Sequence, residues 1–144
     1  MRTNFLFNSG CLILAALILF ISFSAGRYYQ EQYILEHEKN LAVEQPGPHN
    51  GGGISVAHNF FTKAKGLNVA FRKRVLKPGS AIGYHRQPED EIYYILSGKG
   101  KMQMNGKTFM VKAGDAILTR PGSSHGLSQT GNEDLALIIS YILK

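Results

Sequence analysis

An all-β domain, closed as a barrel or folded as a sandwich, is what this sequence predicts from residue 54 onward, and three observations predict it. Short apolar runs recur at steady intervals with Gly-containing turns between them, the spacing of small β-barrels and sandwiches. Asn105-Gly106 separates two runs, 99–104 and 107–112, and is the dipeptide that favours a two-residue type I′ hairpin. Leu67, Val69 and Phe71 alternate with Asn68, Ala70 and Arg72, the period-2 pattern of a strand. No internal repeat is visible, so one barrel is expected and not two.

The first 26 residues are a different material. Arg2 is their only charge, and residues 11–23 are apolar apart from Ser22. The small residues Ser22, Ser24, Ala25 and Gly26 follow, so 1–26 reads as a secretory signal peptide cut after Ser24 or Gly26. The other reading is an uncleaved membrane anchor through residues 5–25, since a span needs ~20 apolar residues. The protein is thus expected to be periplasmic or secreted, or else membrane-anchored.

Residues 27–53 come next as an arm and linker. Tyr33 or Ile34 with His37 and Leu41 has weak helical spacing, which predicts a short amphipathic helical arm over 27–42. Pro46, Gly47, Pro48 and Gly51 to Gly53 predict a linker. Strands follow within 54–144. Lys77-Pro78-Gly79 stops the run that holds Val69 and Phe71. Residues 92–96 are strongly β-like, the 99–104 and 107–112 hairpin follows, Gly114-Asp115 turns before 116–119, and the last strand covers 135–143. Met102 with Met104, and Phe109 with Val111, are expected to fill the barrel.

Composition excludes several chemistries. The chain of 144 residues is one domain's worth. Cys11 is the only cysteine and lies in the leader, so the mature chain has no disulfide, thiolate nucleophile or zinc-thiolate site. Net charge is +6. The basic residues Lys63, Lys65, Arg72, Lys73, Arg74 and Lys77 cluster; a solvated strand face is expected and no nucleic-acid partner, which would want basic residues interleaved with aromatics on one surface. Steering of an anionic small molecule is compatible with them.

The residues that carry chemistry lie at fixed spacings. Gly79, five residues, His85-x-Gln87, three residues, Glu91, six residues and Gly98 form one set. Gly114, five residues, Arg120-Pro121-Gly122, two residues, His125, three residues and Gln129 form another. His85 and Gln87 are two apart, so on a strand they share a face. Imidazole, carboxylate and amide oxygen are donors for Mn, Fe, Ni, Co or Zn.

Together these sets resemble the two motifs of the cupin family, over roughly residues 54–142. Gln87 stands where the family's second His is expected, Arg120 replaces the motif's Pro, and Gln129 replaces its Asn. The resemblance implies a double-stranded β-helix, or jelly-roll barrel, with one divalent metal ion held by His85, Gln87, Glu91 and His125. Gln87 is either an amide ligand or a neighbour of a two-His, one-carboxylate triad; a third reading is a degraded site. Tyr93, on the same face as Glu91, and Arg120, near His125, are candidate substrate-binding residues. The resemblance then implies a small-molecule partner and a homodimer, since many small members dimerise and a strand rich in Tyr, Ile and Leu over 92–96 permits it here. Two functions follow. One is a metal-dependent enzyme on a small oxygen-rich molecule, as oxygenase, decarboxylase, isomerase or lyase. The other is a non-catalytic binding module for a sugar or organic acid. A vestigial, structural pocket is the third possibility, and the fold does not choose among them.

Overall fold

Ten strands build the domain in a computed structural model that describes residues 33–144. The expected leader, 1–26, lies outside the described residues, as do residues 27–32 of the expected arm. The compact unit described below is Leu35–Lys144.

The strands are β1 (Ala42–Pro46), β2 (Ile54–Phe60), β3 (Val69–Leu76), β4 (Ala81–Arg86) and β5 (Glu91–Ser97). They continue with β6 (Lys99–Met104), β7 (Lys107–Lys112), β8 (Ala116–Thr119), β9 (Ser124–Thr130) and β10 (Leu135–Ile142). A six-stranded sheet runs β1-β2-β3-β10-β5-β8 and a four-stranded sheet runs β4-β9-β6-β7. Every pairing is antiparallel. The architecture is the expected all-β jelly roll. Leu76, Ile95, Met102, Leu127, Leu135 and Leu137 are sealed in its core.

Local chemistry explains the sharp turns. Asn105 (φ 47°) and Gly106 (φ 79°) join β6 to β7 with Met104 opposite Lys107, the backbone of a type I′ hairpin. Gly98 turns β5 into β6 at φ 80°, and a Cβ there would lie 2.3 Å from the Asp134 carbonyl oxygen, so only glycine fits. Gln129 ties two loops together. Its Oε1 accepts from the Gly79 amide at 2.9 Å, and its Nε2 donates to the Glu133 carbonyl at 2.6 Å.

Three expectations are corrected. Within residues 33–42 the helical turn is a single 3-10 turn, Glu38–Asn40, and Ala42 opens a strand instead of closing a helix. The expected linker is part of the fold: β1 pairs with β2, and a 3-10 turn at Pro48–Asn50 lies on β4. The third concerns β3. Period 2 does not say which set of residues faces inward, and the buried set is Ala70, Arg74 and Leu76, while Phe71 is exposed. Arg74 is therefore not on a solvated face. Among the residues expected to fill the barrel, Met102 and Val111 are buried and Phe109 is exposed.

Candidate metal centre

Two strands of the small sheet and one of the large sheet bring the donors together. His85 on β4 is the register partner of His125 on β9, and their rings meet edge to face with centroids 4.6 Å apart. Glu91 opens β5, whose burial alternates so that Glu91, Tyr93 and Ile95 point inward. One donor atom each from His85, Glu91 and His125 falls within a 4.8 Å cluster. That is compact enough for one ion with bonds of ~2.1 Å after small side-chain adjustment.

Hydrogen bonds set the imidazoles up as donors. His85 Nδ1 donates to the Gly83 carbonyl oxygen at 2.8 Å, which leaves the lone pair on Nε2. His125 is fully buried, and its Nδ1 lies 2.6 Å from the hydroxyl of the equally buried Thr119. With that nitrogen donating to Thr119, Nε2 turns its lone pair inward, where it lies 3.0 Å from Glu91 Oε2. Glu91 Oε2 is buried and receives no hydrogen bond. A buried carboxylate oxygen with no donor, beside an imidazole lone pair, is costly unless a cation answers both. The residues present therefore fit a divalent ion. Two histidines and one carboxylate leave coordination positions open, the arrangement of reactive and not of purely structural centres.

A cavity of about 230 Å³ opens beside the centre, lined by Gln87, Glu91, Tyr93, His49, Arg72 and Arg74 among others. Gln87 is buried, and its backbone is held by bonds to Ser123 and Gly122, each 2.8 Å. Tyr93 is buried on the cavity wall, with its hydroxyl 3.4 Å from His125 Nε2. Burial, and then the neighbouring Glu91, push its phenol well above the usual range, so it remains a neutral O–H group. Arg120 is elsewhere: it is exposed, pairs with Asp90 at 3.0 Å, and is not on this cavity's wall.

Sequence reasoning missed two contributions. His49, given no role, stacks on His85 with ring centroids 3.5 Å apart and planes 6° from parallel. The turn that carries it is pressed onto β4: a Cβ on Gly51 would lie 2.1 Å from the Ala81 carbonyl oxygen, and one on Gly83 1.9 Å from that of His49. Burial, then the nearby His85, hold the His49 imidazole below its ordinary pKa, and so neutral. No spacing rule links residue 49 to residue 85. The second omission is Arg72 and Arg74, which line the cavity; an Arg-x-Arg pair on a period-2 strand was the available signal.

A His-Glu-His cluster, with Glu91 and His125 buried and His85 half-buried, inside a jelly-roll barrel is the arrangement of the class of β-barrels known as cupins. The chain belongs to that family. The family model described as "Cupin domain" matches residues 73–141. An oxalate-binding protein of Thermotoga maritima is 42% identical over 95 residues, which are 64% of this chain and 78% of that protein. A crystal structure of a predicted oxalate decarboxylase from Thermotoga maritima superposes with a TM-score of 0.71 at 32% identity, covering 77% of this chain and 100% of the other. A 5-nitrosalicylic acid 1,2-dioxygenase of Bradyrhizobium is 24% identical over 68 residues, 47% of this chain and only 33% of that protein.

Proposed function

We propose that this protein binds a small carboxylic acid, oxalate in the first instance, at a divalent metal held by His85, Glu91 and His125. The observation that carries this reading is the His85/Glu91/His125 cluster with the unsatisfied, buried Glu91 oxygen, beside a cavity lined by two arginines. The oxalate-binding relative supports the choice of ligand. When bound, the metal supplies a Lewis acid that takes up carboxylate oxygens. The protein's own groups do the rest. The Gly83 carbonyl holds His85 in one tautomer, and Thr119 fixes the orientation of the His125 ring. Tyr93 offers a neutral hydroxyl to the cavity, and Gln87 sits on its wall as an amide ligand or as a neighbour of the triad. The metal is one of Mn, Fe, Ni, Co or Zn by donor type.

Calorimetric titration of the Mn(II)-loaded full chain with oxalate is the test. Binding that disappears on chelation and returns with Mn(II) is expected; equal binding with and without metal would sink the reading. Decarboxylation of the bound acid is a second reading, favoured by Glu89, a further carboxyl on the cavity wall. It requires one formate and one carbon dioxide per hydrogen oxalate consumed, and acid that survives turnover conditions intact rules it out. Export is proposed from the apolar leader of residues 1–26. The mass of the mature N-terminus decides between cleavage and anchoring, and a cytosolic chain that keeps Met1 refutes both.

A further inference from the structure

Arg74 is a buried cation that no buried anion answers. It is 6% exposed on β3 and lines the cavity beside Gln87, Glu91 and Tyr93. Its Nη1 donates to Ser55 Oγ at 3.2 Å. With the Gln45 amide turned so that its oxygen faces the guanidinium, that oxygen accepts from Nη1 and, at 3.3 Å, from Nη2. Both partners are neutral. Nε is buried and donates to nothing. Among the described residues, the carboxylates in ion pairs are taken by Lys73, Lys77, Arg120 and Lys144, Glu91 lies against His125, and none pairs with Arg74. Arg72 lines the same cavity, with its guanidinium 5.1 Å from the Tyr141 ring centroid.

Taking a guanidinium out of water without an anion costs several kcal/mol. Ser55 and Gln45 orient the group but do not neutralise it. A fold gains nothing in stability from such an arrangement, whereas a ligand that brings a carboxylate gains a charge-assisted, two-pronged partner. Strand register sets the two arginines across one strand from the strand that carries Glu91 and Tyr93. Arg72 is in register with Ile139 and, across β10, with Tyr93. Two strand spacings, ~9.6 Å, therefore separate the arginine strand from the strand that carries Glu91 and Tyr93. Arg74 itself is in register with Leu137 and, across β10, with Ile95, the inward position next to Tyr93.

We propose that Arg74 is the anion-recognising residue of the cavity, pairing with one carboxylate of a small dicarboxylate while the acid's other oxygens reach the His85/Glu91/His125 centre. The proposal rests on the carboxylate reading above and narrows it: the site selects dicarboxylates over monocarboxylates.

The experiment is calorimetric titration of the Mn(II)-loaded full chain, and of its Arg74→Met variant, with oxalate, malonate, succinate and acetate, alongside metal content and melting of the ligand-free proteins. The parent should bind at least one diacid about 10-fold or more tighter than acetate. Arg74→Met should lose about 30-fold or more for that diacid, change little toward acetate, keep its metal, and melt no lower than the parent. Equal diacid affinity in parent and variant overturns the assignment and leaves the carboxylate reading standing. A parent that binds none of the four acids overturns both. A variant that melts well below the parent marks Arg74 as structural and overturns the assignment. If Arg74→Met does not fold, Arg74→Lys takes its place: it keeps the charge, gives up the planar fork, and should still weaken diacid binding by about 10-fold. Undiminished diacid binding by Arg74→Lys then overturns the assignment.

Discussion

At the residue scale the proposed metal centre would depend on two strong nitrogen donors and one carboxylate. His85→Ala and His125→Ala should each abolish metal retention, because each removes one of the two imidazole donors of the cluster. Gln87→Ala should weaken retention less. Gln87→His should tighten it by ~10-fold, in the range that changes around a metal site produce. Metal content after dialysis against a graded chelator checks all four. Retention by both histidine variants at the parent's level would show that the site is misplaced. Thr119→Val offers a finer check: it removes the partner of His125 Nδ1 at 2.6 Å and should lower affinity without removing a ligand. Much of this centre was legible in the sequence because His-x-Gln, Glu and His stand at spacings that strand geometry converts into one face. His49 was not legible, since its stacking on His85 depends on how the chain returns to β4.

At the element scale, glycines set the turns, and they should differ in cost. Gly106 has φ 79° with nothing within 4 Å of an added Cβ, so Gly106→Ala meets only backbone strain, ~1–2 kcal/mol. Gly98 combines φ 80° with a Cβ position 2.3 Å from the Asp134 carbonyl, so Gly98→Ala should cost clearly more. Urea unfolding of the two variants measures the difference, and equal losses would contradict the close approach. The β6–β7 hairpin was readable because Asn-Gly states its own turn type. Strand β3 was misread for a general reason. Alternation defines two faces, but burial is conferred by what packs on each, and the small Ala70 with the two arginines faces the cavity side. Strand β1 was unreadable because residues 42–46 have few β-formers and a Pro; as an edge strand, β1 is defined by its pairing to β2.

At the scale of the whole molecule, the large sheet carries an apolar face that is uncovered among the described residues. Ile92, Tyr94 and Leu96 point outward from β5, and Leu118 on β8 is the register partner of Ile92. All four are more than 40% exposed, with Ile92 and Leu118 each at 49%. A contiguous apolar patch of this kind is characteristic of an interface, and a second copy of the chain is the proposed occupant. Sedimentation should give twice the chain mass for the parent and the single-chain mass for Ile92→Lys with Leu118→Lys. A parent that sediments as a monomer across micromolar concentrations would remove the homodimer.

The sequence by itself determined the all-β class, the hairpins and the turn glycines, and its motif resemblance pointed to His85, Gln87, Glu91 and His125 as candidate metal donors. Each of these depends on local dihedral preference or on a period-2 spacing that any strand obeys. Only the tertiary structure decided which face of β3 is inward, that residues 42–53 belong to the fold, that His49 covers His85, and that Arg120 stands away from the cavity. Those outcomes depend on which strands become neighbours across two sheets, and that pairing is a property of the closed barrel that no single segment carries.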